Sequence, residues 1–156
     1  MFTHRDVKAM KGGQGIKVYQ NTLTINPKTI ETIFNYPRGV SIVVEIAEFA
    51  NSKVENSTDA MNIFLFPRDE NGEISEEIGH NLPSKDGSGS VRLSPKAIKD
   101  NGCSFMDILH YDTNEGAFKV ALRNLFYMPN GGILRLVNNM NQSDDFSYLV
   151  VVRELD

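Results

Sequence analysis

Tryptophan is absent from this chain, and cysteine occurs once, at Cys103. One thiol forms no internal disulfide and no multi-cysteine zinc site. A lone free cysteine is expected to act as a small buried hydrophobe. Histidine is nearly absent too, with only His4, His80 and His110. No stretch reaches the roughly 18 apolar residues that cross a bilayer. The opening Met-Phe-Thr-His-Arg-Asp-Val-Lys lacks the apolar run of a secretory leader. These absences point to a cytoplasm, of a cell or an infected host, or to a viral particle, and to no membrane partner. An excess of positive charge is missing as well: 16 Lys and Arg stand against 20 Asp and Glu, for a net charge of -4. Proteins that grip nucleic-acid phosphates show a basic face, so nucleic acid is disfavoured as a partner.

What is present fits one globular domain. The chain has 156 residues, 40% of them hydrophobic and 23% charged. That length buries enough surface to hold a core without disulfide or metal. Residues 1–15 differ from the rest. They carry Arg5, Lys8 and Lys11 ahead of Gly12, Gly13 and Gly15. Clustered glycine is costly to order. The expectation is a flexible N-terminal arm over 1–15 and a single domain over 16–156, with Arg5, Lys8 and Lys11 as the candidate assembly residues.

Period-two alternation dominates the remainder. Ile16 and Val18, then Leu23 and Ile25, fall on alternating positions with Gln20-Asn21 between them. This predicts two strands, or one strand with a bulge. Asn26-Pro27 followed by Ile30, Ile33 and Phe34 predicts a short helix to about Asn35. Val40 to Phe49 reads as a strand with Ile42, Val44 and Ile46 on one face. Met61 to Phe66 is a dense apolar strand. Asp69-Glu70-Asn71-Gly72 is a turn, and Glu73 to Ile78 an edge strand at best. His80 falls in a polar turn. Val91 to Leu93 is a short strand. Ser94-Pro95 caps a helix that Gly102 ends. Residues 103–111 lean towards a strand. Phe118 to Arg123, Ile133 to Val137 and Phe146 to Leu155 are expected to form an antiparallel meander, the last of them a central strand.

The sum is an all-β chain. Strands recur every 10–15 residues or so with turn signals between them. The expected fold is a two-sheet antiparallel β-sandwich, jelly-roll-like, with one or two short helices in its connections.

Catalytic constellations are thin. His110, with Asp107 before it and Asp112 after, is the one candidate general base, the basis of a third, hydrolase reading. A surface histidine beside solvated carboxylates explains the same residues. Pro129, Gly131 and Asn138 fit part of the cupin metal motif Pro-x-Gly-x-x-His-x-x-x-Asn. Leu134 stands where that motif needs its ligand, so no such site is expected. Asp144-Asp145 with Asn139, Asn141 and Gln142 could offer oxygen to calcium, but the spacing matches no defined loop. Adjacent acids on a strand face opposite ways, which argues against a paired-carboxylate site at Asp69-Glu70, Glu76-Glu77 or Asp144-Asp145. Phe118, Lys119, Arg123, Phe126, Tyr127 and Arg135 interleave aromatic and basic residues, as single-strand binders do, yet Phe118 and Phe126 also suit a core. No catalytic, cofactor or metal residue is assigned.

The chain also holds 15 Asn and 9 Phe. Asparagine suits loops, and polar loops on a rigid sandwich make contact surfaces. The leading expectation is a non-enzymatic structural or assembly protein that self-associates, such as a viral or phage component. The other is a binding module for a glycan, a host protein or a nucleic acid.

Overall fold

The computed structural model describes residues 15–51, 60–84, 89–108 and 119–155. They form two sheets. The first contains β1 (Ile16–Ile25), β3 (Ser41–Asn51), β7 (Phe105–Asp107), β8 (Lys119–Leu122), β9 (Phe126–Met128) and β11 (Asp144–Leu155). The second contains β2 (Thr29–Tyr36), β4 (Met61–Pro67), β5 (His80–Pro83), β6 (Gly89–Leu93) and β10 (Gly132–Asn138). One helix, α1 (Pro95–Asn101), is described.

Strand order in the first sheet is β1-β11-β3-β8-β7. β9 also pairs with β3, lower down, so β8 and β9 share one side of that strand. Order in the second sheet is β2-β10-β4-β6-β5. β1 to β4 alternate between the sheets, and so do β10 and β11. This interleaving is the jelly-roll-like sandwich that the alternation predicts. Its one departure is β4 beside β6, which run parallel.

Inward side chains of both sheets make the core. With no tryptophan, phenylalanine fills its widest part. Phe49 lies 6.4 Å from Phe105 and 6.3 Å from Phe146, and Phe105 lies 6.2 Å from Phe126, ring centre to ring centre. Each buried ring contributes about 1.5–3 kcal/mol by leaving water. Tilted ring pairs add about 0.5–1.5 kcal/mol. β4 is buried on both faces, with Met61, Ile63 and Leu65 on the inner one and Asn62, Phe64 and Phe66 on the outer one. There Glu76 pairs with Arg135 of β10 at 2.6 Å.

Helix α1 forms as its signals dictate. Ser94 accepts a bond from the Ala97 amide at 3.2 Å, Pro95 starts the first turn, and Gly102 at φ 67° ends the last. The expected helix over 27–35 does not form. Pro27-Lys28 is instead a turn, with Lys28 at φ 56°, and β2 follows. Pairing with β10 overrides the local stripe: Phe34 and Tyr36 are buried while Ile30 is 61% exposed.

Four other expectations are corrected. The last three strands make no meander, since β10 lies in the second sheet while β8 and β11 lie in the first. Glu73 to Ile78 forms no strand, only a bridge between Arg68 and Ile74. His80 begins strand β5 rather than sitting in a turn. In β3, Val44 faces inward and Ile46 outward. An extra residue, Glu45, breaks the register with β11 there, and the bulge flips the face. Glu45 then meets Arg153 as an ion pair. The strand leaned towards over 103–111 is β7, and β11 is central as expected.

Candidate functional site

Strand β1 pairs with β11 over Ile16 to Ile25 in one unbroken register. The reading of two strands or a bulge is therefore wrong, but the phase change behind it is real. Ile16 and Val18 face outward, and Leu23 and Ile25 face inward. The outward pair joins Ile46, Leu149 and Val151 in a small second apolar cluster on the outer face.

Backbone geometry decides what the free side of β1 offers. The Gly15 carbonyl accepts the Glu154 amide at 2.7 Å. Hydrogen-bonded residues alternate in an antiparallel pair. Lys17, Tyr19, Asn21 and Leu23 therefore spend their backbone groups on β11. Ile16, Val18, Gln20, Thr22 and Thr24 turn theirs to the open edge. Among the described residues no strand pairs there.

The other exposed strand sides are blunted. β2 is bulged opposite Leu134/Arg135 and lies between Pro27 and Pro37. β5 is only 4 residues long and ends in Pro83. β7 is 3 residues long. β9 is capped by a side chain. The Asn101 amide donates to the Tyr127 carbonyl at 2.9 Å and accepts from its N–H at 2.8 Å. Short length, proline, bulges and caps are the usual defences against edge pairing. β1 carries none of them, and its only charge is Lys17.

Two features flank this edge. On the outer face, a groove of about 490 Å³ is lined by Gln20, Thr22, Glu48, Ala50, Lys119 and Ser147, among others. Its floor is sheet backbone where Ala50 and Ser147 are small. Thr22 and Ser147 share a hydroxyl bond of 3.0 Å. On the inner side, the Tyr19 and Tyr36 hydroxyls lie 2.7 Å apart. Burial, then the bond to Tyr19, pushes the Tyr36 phenol far above its ordinary range. Burial also raises Tyr148, against a bond from Asn21 and with help from Glu31.

Arg5, Lys8, Lys11, His4, His110, Asp112 and Phe118 lie outside the described residues. Asp107 shares the inward face of Val120 on β7, away from β1. His80 is half-buried opposite Leu93. Cys103 is exposed, which overturns its expected burial. It follows Gly102 at the end of α1, outside both sheets. Asp144 is buried against Asn51, while Asp145 faces out to Thr24. The acidic pair is thus split across the sheet, as strand geometry requires. Leu134 is fully buried, and Asn138 holds the Ile25 and Gln142 carbonyls and the Met140 amide. The partial motif is a loop organiser. Phe126 is core, and Tyr127 beside it is exposed. No group of His, Cys, Asp or Glu gathers to hold a metal among the described residues. No described helix is long and apolar enough to cross a membrane.

Compared with protein-family models, curated proteins and solved structures, the chain matches none.

The β1 edge was not singled out in the sequence. Its signal is a long strand run without proline and with Lys17 as its only charge, and that run says nothing of which strands lie beside it.

Proposed function

We propose that this chain is a non-enzymatic structural protein that self-associates, of the kind a viral or phage particle is built from. The observation that supports this is the β1 edge. It is long and straight in register, with no proline or bulge, while the other edges among the described residues are blunted. A strand edge with no described strand beside it is a place where a further strand can add. The candidate assembly residues Arg5, Lys8 and Lys11 precede β1 in the sequence.

Light scattering on the wild type and Gln20→Pro tests this. The Gln20 amide points to the open edge, so proline there removes no bond to β11. The wild type is expected to assemble, and the variant to stay monomeric with an unchanged far-ultraviolet spectrum. Assembly that survives the proline, or a wild-type monomer at high concentration, refutes the reading. Deleting residues 1–14 measures the share of the arm.

The groove favours a second reading, a binding module. Its amide, hydroxyls, carboxylate and ammonium suit a hydroxyl-rich ligand such as a glycan, and its volume is in the usual range for small ligands. A glycan array with Glu48→Ala as control tests it; equal signal from both proteins removes this reading.

A further inference from the structure

We propose that the outer groove takes a zwitterion, with the ligand's ammonium against Glu48 and its carboxylate against Lys119. This rests on the groove reading given second above and names the charges its ligand carries.

Strand register fixes the two charges. Phe49 and Val120 are buried in the core, so Glu48 and Ala50 of β3 and Lys119 and Ala121 of β8 point outward. Glu48 stands opposite Ala121, and Lys119 opposite Ala50. Glu48 and Lys119 are therefore diagonal neighbours on one face, about 7–8 Å apart at their backbones. Long side chains reach one another across that diagonal. Yet neither side chain forms an ion pair or a hydrogen bond among the described residues. These two are also the only charged residues that line the groove.

The space beside them suits the rest of such a ligand. Ala50 and Ser147 stand opposite one another and leave room for its body next to both charges. Leu149, opposite Glu48 on β11, gives one wall an apolar surface for methylene groups. Thr22 and Ser147 share a single hydroxyl bond, which uses one of their two hydroxyl protons and leaves the other for a ligand oxygen. Charge then selects among ligands. A lone anion at Lys119 is repelled by the nearby Glu48 carboxylate, and a lone cation at Glu48 by the Lys119 ammonium. A molecule with both charges several bonds apart gains both contacts and meets no like charge. An α-amino acid holds its charges too close to span the diagonal, whereas an ω-amino acid with a methylene chain between them fits it.

The test is an NMR titration of the full chain with ε-aminocaproate at constant ionic strength, following the amides of Ala50, Ser147 and Leu149. Saturable shifts are expected at these amides. N-acetyl-ε-aminocaproate, which keeps only the anion, and ε-aminocaproamide, which keeps only the cation, are expected to bind more weakly, and so is glycine. Glu48→Lys and Lys119→Glu are each expected to abolish the shifts. The double variant carrying both changes is expected to restore them, with the ligand reversed. Such rescue is a result that a merely damaged surface does not give. No shift with ε-aminocaproate, equal shifts with its singly charged analogues, or no rescue in the double variant overturns the proposal. If a glycan identified on the array then moves the same amides, the groove reading survives with an uncharged ligand. If no glycan moves them either, the groove reading falls as well.

Discussion

Tyr36 shows how one side chain ties the two sheets together. Its ring packs on Phe34 with centres 5.3 Å apart, and its hydroxyl reaches across to Tyr19 on the other sheet. Its phenol titrates above the ordinary value of about 10 because burial disfavours the anion. The unfolded chain ionises first as pH rises. The stability tied to the neutral phenol is therefore complete below about pH 10 and is lost above it. Tyr36→Phe cannot ionise. The stability of the wild type relative to Tyr36→Phe is expected to fall by about 1.4 kcal/mol per pH unit above pH 10, and to be flat below it. Urea titrations at several pH values measure this, and a flat difference throughout would show that the Tyr36 hydroxyl ionises freely. Gly131 is a second residue with a sharp consequence. At φ 77° a Cβ there would lie 2.5 Å from the Tyr36 and Pro37 carbonyl oxygens. Backbone cannot yield as a side chain end can. Gly131→Ala is expected to cost about 2–3 kcal/mol, read as a lower Tm.

At the scale of elements, β9 is held by α1 as much as by its sheet. Asn101 imitates a neighbouring strand by filling both outward backbone groups of Tyr127. Asn101→Ala leaves these to water and is expected to cost about 1 kcal/mol. Amide exchange at Tyr127 should quicken in the variant while exchange at Phe126 and Met128, which pair with β3, stays slow. Equal quickening along β9 would mean that Asn101 supports the whole strand rather than its edge. The same scale shows what the sequence could reveal. Alternation exposed β3, β4, β10 and β11, because inward and outward residues differ in polarity. Ser94-Pro95 and Gly102 marked α1, because capping is local chemistry. Asn26-Pro27 misled, because proline after asparagine starts a tight turn as readily as a helix. Only the sheet partner of β2 decides between them. The meander misled for a related reason. Alternation tells which residues point inward but not which sheet they leave, and in a sandwich successive strands often change sheets. The β1 edge was hidden in the same way. Its residues read as strand, and its openness is a property of strand order. The groove is equally illegible, since Gln20, Glu48, Lys119 and Ser147 come from four strands.

At the scale of the molecule, an undefended edge couples stability to concentration. A chain that pairs through β1 unfolds from a dimer, and dilution favours the unfolded monomer by mass action. The coupling is quantitative. Each tenfold dilution removes about 1.4 kcal/mol from the dimer. Spread over the unfolding entropy of two chains of 156 residues, a hundredfold dilution is expected to lower the wild-type Tm by about 4 °C. Gln20→Pro keeps the core and every β1–β11 bond but removes an outward amide at the centre of the strand. Its Tm is expected to be independent of concentration and to match the wild type at high dilution. Calorimetry or fluorescence melts across two decades of concentration read both. Parallel slopes for the two proteins would place the contact elsewhere, because a proline at Gln20 cannot weaken an interface that does not include β1. Two flat lines would mean that the edge stays open in solution, leaving the groove beside it as the feature that calls for a ligand.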